Sequence, residues 1–193
     1  MPNATQLLRQ DHKKVEGLFN KCEQAKGMEA KKRLAMQVMN ELEVHAQIEE
    51  EIFYPAVKKA IEEGELVDEA KQEHQQAKSL MAQLKRMQGQ ENGAAEEFET
   101  KFSELVEAVQ HHVEEEEGEM FPKVEESEMD LAEIGSEMAD RKKELLQQMG
   151  ATKTRSAAKS KSKSKSKSKS PRRTKSRSTK ARKSSGGKRA RAR

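Results

Sequence analysis

Four of the chain's five histidines fall into a twofold repeat. His12 and His74 each follow an acid directly, in Asp11-His12 and Glu73-His74. His45 and His112 each precede a glutamate by four residues, Glu49 and Glu116, and each stretch reaches a proline ten residues after its histidine, Pro55 and Pro122. Imidazole and carboxylate are donors for divalent transition metals, and residues at i and i+4 share one face of a helix. The bland alternative is structural, since a single histidine on an apolar face is usually a hydrogen-bonded core residue. A core glutamate is harder to explain, because without a partner it costs several kcal/mol or must be protonated. Metal ions would satisfy His12, His45, Glu49, His74, His112 and Glu116 together, which six independent accidents would not.

His111 makes the register ambiguous. His112 continues Val109 by three residues, leads to Glu116 by four and alone aligns with His45 through the proline spacing. His111 lies about 100° around the helix and is expected at the rim, with His111 and Glu115 as the register-shifted alternative.

These residues need helices to position them. Glu, Lys, Gln, Ala, Leu and Met dominate residues 1–150, and Gly and Pro punctuate them. The predicted fold is all-α: an up-down-up-down four-helix bundle with a short fifth helix and a disordered basic C-terminal tail. Helices are expected over 5–26 with Thr5 as N-cap, over 29–63 with a kink or break near Pro55, over 66–88, over 94–122, and over 130–148 with a stop at Gly150. Their apolar stripes step by three and four: Leu8, His12, Val15, Phe19, Cys22; then Val38, Leu42, His45, Glu49, Ile52, Ala56. The third reads Val67, Ala70, His74, Ala77, Met81, Leu84, and the fourth Phe98, Phe102, Leu105, Val109, His112, Glu116. Tyr54, nine residues from His45, falls opposite it on an ideal helix and reads as packing. Cys22 reads as a small buried hydrophobe. The run Glu114–Glu117 reads as a mostly solvated face.

The order of His12, His45-x-x-x-Glu49, His74 and His112-x-x-x-Glu116, with the tails Glu-Glu-Glu-Ile-Phe-Tyr-Pro and Glu-Gly-Glu-Met-Phe-Pro, resembles the hemerythrin-like HHE cation-binding domain over residues 5–147. The resemblance implies two iron ions with a solvent-derived oxo or hydroxo bridge. His12, His45, His74 and His112 would be terminal ligands, and Glu49 and Glu116 bridging carboxylates. Small diatomic ligands or peroxide would be the partners. Oxygen carriers of that family place a further histidine where Lys78 stands here. Six protein ligands would leave the centre more open, favouring sensing, iron binding or enzymatic reaction over reversible oxygen transport. Lys78 itself reads as a side chain reaching solvent or supporting the site from outside the ligand set. Iron rests on the resemblance, because the donor set alone also suits zinc and manganese.

The charge is sharply divided. Nineteen of the 38 Lys and Arg lie in residues 151–193, and none of the 34 acids does. The first 150 residues form the expected metal-binding domain, and residues 151–193 cannot bury a core. The tail carries Lys161, Lys163, Lys165, Lys167, Lys169, Arg172, Arg173, Lys175 and Arg177, a set fitted to sequence-independent binding of DNA through phosphates. Its composition resembles linker-histone tails, with Ser170-Pro171-Arg172-Arg173 similar to their SPKK motif. A solubility tail, a tether to the domain's own acidic surface and an anionic membrane are the competing readings. With one cysteine, no apolar run of membrane-spanning length and no hydrophobic leader, the expected location is cytoplasmic, at the nucleoid if the tail holds DNA.

Overall fold

A computed structural model describes residues 2–61, 64–88 and 95–165, with side chains described through residue 150. All secondary structure among the described residues is helical. The elements are α1 (Ala4–Gln24), α2 (Met28–Ile48), a π-helical turn (Glu49–Phe53), α3 (Tyr54–Ala60), α4 (Gly64–Met87), α5 (Ala95–Glu115), a second π-helical turn (Glu116–Met120), α6 (Phe121–Glu126) and α7 (Leu131–Lys165). The chain divides into two compact units, Met1–Thr152 and Lys153–Arg193.

Two helix ends differ from expectation. The N-cap of α1 is Asn3, not Thr5: its side chain accepts from the Gln6 amide at 2.9 Å, and the Gln6 side chain accepts from the Asn3 amide at 3.3 Å. This reciprocal box satisfies two amides that lack helical partners. At the other end, α7 runs past the expected stop at Gly150 to Lys165. One helical glycine costs only about 1 kcal/mol, and the Ala and Lys that follow favour helix. Lys161, Lys163 and Lys165 lie on this helix, whereas Lys167, Lys169, Arg172, Arg173, Lys175 and Arg177 lie outside the described residues.

Neither Pro55 nor Pro122 ends its helix. Each sits in the first turn of the helix after a π-helical turn. The wide turn takes one extra residue and absorbs the missing proline amide and the ring's clash with the preceding turn. The extra residue also rotates everything that follows. The expected stripe through Ile52 and Ala56 gives way to Phe53, Tyr54 and Val57, all fully buried, and Met120, Phe121 and Val124 repeat the pattern in the second half.

Helix α1 packs on α2, α4 packs on α5, and α2 meets α4. The apolar side chains form two clusters. One includes Leu8, Ile48, Ala70 and Met120; the other includes Val15, Leu42, Leu80 and Val109. In sequence, His12, His45, His74 and His112 each fall between a member of one cluster and a member of the other. The candidate site is thus a polar layer between two apolar ones. Within the first unit, α7 closes the end nearer Leu8, burying Met138 and Leu145 against the first cluster. Gly135 permits this approach, because a Cβ there would meet Ala4 N and Asn3 C at 2.6 Å.

Candidate metal centre

Helices α1, α2, α4 and α5 each turn one histidine inward, and the two π-helical turns open with Glu49 and Glu116. All six residues are buried, Glu49 and Glu116 to within 1% of completely. The imidazoles meet in pairs: His12 Nε2 lies 3.2 Å from His45 Nε2, and His74 Nε2 lies 3.2 Å from His112 Nε2. Each glutamate reaches one histidine of each pair. Glu49 Oε2 is 3.2 Å from His45 Nε2 and 3.4 Å from His74 Nε2, while Glu116 Oε2 is 3.5 Å from His12 Nε2 and 3.6 Å from His112 Nε2.

The outer ring nitrogens explain why the inner ones converge. His12 Nδ1 donates to Glu117 at 2.7 Å, His74 Nδ1 to Glu50 at 2.9 Å and His112 Nδ1 to Glu73 at 2.9 Å. His45 Nδ1 faces Asp11 Oδ2 at 3.7 Å, a distance too long for a hydrogen bond. With the proton on Nδ1, each Nε2 presents a lone pair inward, and a carboxylate behind a metal-bound imidazole sets its tautomer and orientation in this way. Two facing lone pairs at 3.2 Å repel unless a cation lies between the donors. Neither oxygen of Glu49, nor Oε2 of Glu116, has a hydrogen-bond partner despite full burial. Such orphaned acceptors are costly in a finished core and are what a cation would satisfy. The residues therefore fit a metal site.

Protonation follows the same geometry. Burial, then the neighbouring Glu116 carboxylate, pushes the Glu49 carboxyl well above its usual range. Burial also acts against Glu116, but the imidazoles of His112 and His12 outweigh it and hold that carboxyl below the usual range. Burial, with His112 alongside, pulls His74 down to about 4. Burial lowers His45 as well, whereas for His112 the Glu116 and Glu73 carboxylates overcome burial and raise it.

Tyr54 is a correction. Turned inward by the π-helical turn, it is fully buried, and its hydroxyl donates to Glu116 Oε1 at 2.9 Å. Lys78 does not simply run to solvent: its ammonium binds both oxygens of Glu50 at 2.6 and 2.8 Å, fixing the carboxylate that holds His74. His111 is 63% exposed and lies 2.9 Å from Glu73 Oε1, outside the buried group. Cys22 is buried as expected, and burial pushes its thiol up. Of the run Glu114–Glu117 only Glu116 is buried, as expected, while the partly exposed Glu117 holds His12.

The orienting acids were missed at the sequence level, although their signal was present. Asp11 and Glu73 directly precede the lone histidines, and Glu50 and Glu117 directly follow the buried glutamates. Three of the four hold a histidine on another helix by a hydrogen bond, and Asp11 faces one. From α7, Lys142 binds Asp11, and Arg141 holds Glu51 at 2.6 and 3.2 Å.

The hemerythrin HHE cation-binding domain matches residues 3–124, and the chain belongs to that family. It is 31% identical over 147 residues to protein Rv2633c of Mycobacterium tuberculosis (strain ATCC 25618 / H37Rv), covering 74% of this chain and 87% of that one. A DNA nickase of Nostoc sp. (strain PCC 7120 / SAG 25.82 / UTEX 2576) is 31% identical over 119 residues, 62% of this chain, which spans only 32% of the nickase. The crystal structure of a hemerythrin HHE cation-binding domain-containing protein from Mycobacterium kansasii, a homolog of Rv2633c, aligns with a TM-score of 0.63 at 28% identity. That alignment covers 75% of this chain and 88% of that one. The fold is hemerythrin-like, and its His/Glu clusters suggest a metal site.

Proposed function

We propose that the chain is a non-haem di-iron protein whose helices form an up-down-up-down four-helix bundle. It would bind or sense dioxygen, nitric oxide or a related oxidant, or bind iron as such, beside DNA held by the basic tail. The observation that carries this reading is the paired donor set. His12 with His45, and His74 with His112, would each hold one cation, and Glu49 and Glu116 each reach both pairs. A solvent-derived oxo or hydroxo bridge would complete the cofactor. When bound, two irons supply one- and two-electron chemistry with oxygen and nitrogen ligands.

The chain's own residues supply the environment. Glu117, Glu50 and Glu73 aim three of the imidazoles through hydrogen bonds and Asp11 faces the fourth, while Lys78 keeps Glu50 ionised and in place. Tyr54 holds a proton at its hydroxyl, 2.9 Å from Glu116, and burial with the adjacent Glu116 charge raises its pKa well above the usual value. The apolar cluster that includes Leu8, Ile48 and Ala70 closes one side of the polar layer.

A second reading, an enzyme acting on peroxide or nitric oxide or repairing iron centres, is favoured by one feature. A cavity of about 430 Å³ reaches all four histidines between Leu42, Met81 and Val109, with Lys78 and Glu117 also on its walls. That falls in the range of small-molecule sites and is far more room than a diatomic molecule needs, so within this reading it favours a substrate larger than nitric oxide. For the tail, nineteen positive charges without an acid support DNA as the partner, and the similarity to a DNA nickase elsewhere hints at DNA association of the chain.

Metal content and optical spectra, before and after peroxide, oxygen and nitric oxide, test the centre. About two irons per chain are expected; zinc alone, or less than half an iron, would refute the di-iron reading. Rapid catalytic loss of peroxide would select the enzyme over the sensor. Deleting residues 151–193 should abolish DNA binding and leave iron content unchanged, and retained affinity would refute the tail assignment. If eight phosphates are neutralised, log K should fall with log[salt] with a slope of about −7.

A further inference from the structure

Outside the buried centre lies a second group of metal-type donors. Glu73 on α4 and His111 and Glu115 on α5 bring one ligand atom each within 4.8 Å of one another. His111 Nδ1 is 2.9 Å from Glu73 Oε1 and 3.5 Å from Glu115 Oε1. Glu73 is shared with the interior, because its other oxygen holds His112 Nδ1 at 2.9 Å. One carboxylate thus joins an exposed imidazole to a buried one.

A small cavity lies beside this trio. Its walls include the carboxylate residues Glu69, Glu73, Glu115 and Glu119 together with Glu116, and its volume is about 70 Å³, room for about two water molecules. Glu116 is 99% buried, and its Oε2 has no hydrogen-bond partner. Glu73 and Glu115 of the His/Glu cluster therefore line one cavity with the buried Glu116, which also reaches the buried histidines.

We propose that Glu73, His111 and Glu115 form a surface staging site for a divalent first-row transition-metal cation, and that this cavity is the path by which the cation reaches Glu116 and the buried donors. The inference rests on the di-iron reading for the cation's destination, but not for the surface site itself. Mixed imidazole and carboxylate donors suit ferrous iron, manganese and zinc. The acidic wall would concentrate cations at the mouth, and the narrow space would strip most of their waters before Glu116 replaces them. Electrostatic focusing of this kind raises association rates by about tenfold or more and weakens with salt.

The test compares the full chain with a His111→Ala, Glu115→Gln double variant, both substitutions lying at the surface, with helicity checked by circular dichroism. Metal-free protein is mixed anaerobically with ferrous iron, and uptake is stopped with a ferrous chelator at timed intervals. The variant should reach the same final iron content about tenfold more slowly at low salt, and its loading rate should lose most of its salt dependence. In zinc titrations the variant should bind about one ion fewer per chain than the wild type. Equal loading rates, or equal zinc stoichiometry, would overturn the proposal. The di-iron reading fails separately, by wild-type protein that never holds iron; the zinc difference would still report the surface site.

Discussion

Replacing Glu49 by Met should stabilise the metal-free protein while abolishing its gain in stability from metal. Glu49 is completely buried, and neither carboxylate oxygen has a hydrogen-bond partner. Burial and the neighbouring Glu116 already push its carboxyl well above the usual range. A buried, unsatisfied polar group costs about 1–3 kcal/mol, and Met fills similar space with an adaptable apolar chain. A gain of about 2 kcal/mol in a unit of this size raises Tm by about 4–8 °C. Metal acts with the opposite sign. Wild-type protein at a free metal concentration 100 times Kd gains about 2.7 kcal/mol, whereas the variant, lacking a carboxylate that reaches both histidine pairs, should gain little. Thermal melts monitored by circular dichroism, with EDTA and with anaerobic ferrous iron, give all four values. A metal-free E49M protein that melts below metal-free wild type would refute the reasoning, because Glu49 would then be a group the fold itself satisfies.

Other outcomes follow from the same geometry. His112→Ala should remove iron while His111→Ala keeps it at equilibrium, and elemental analysis of the purified variants would expose a register error if the result were reversed. In the metal-free protein, His74 titrates near 4 against an ordinary value of 6.5. The unfolded chain therefore binds that proton first, so the stability present above pH 6.5 should fall as pH drops from 6.5 towards 4 and, for this group, level off below it. Urea denaturation across that window checks the sign, and stability that rose on acidification would refute the assignment of His74 as a buried neutral imidazole. Gly135→Ala should cost about 1–3 kcal/mol, because the new methyl would meet the backbone of Asn3 and Ala4 at 2.6 Å. A calorimetric Tm equal to wild type would show that α7 can move away from α1 without loss.

Much of the site was legible from periodicity. Apolar-face positions pointed to the four histidines and two glutamates that are buried together, and the matching distances to Pro55 and Pro122 favoured the buried His112 over the exposed His111. Those inferences needed only the local rule that residues three and four apart share a helical face. They held up to Glu49 and Glu116, where the helices are regular. Past those residues the rule fails, because each π-helical turn adds one residue and rotates the following side chains by about 100°. That rotation brings Tyr54 into the centre and replaces Ile52 and Ala56 with Phe53 and Val57 in the core.

Residue order alone tells which His and Glu side chains lie on apolar helix faces and where the charge divides. What stands behind each imidazole depends on how the helices pack. Asp11 faces His45 and not its neighbour His12, Glu73 serves His112, Glu50 serves His74 and Glu117 serves His12. These pairings cross between helices, so their geometry depends on how the helices pack, and spacing along one helix cannot report it. The same packing places His111 beside Glu73 and Glu115, which line a small cavity together with Glu116.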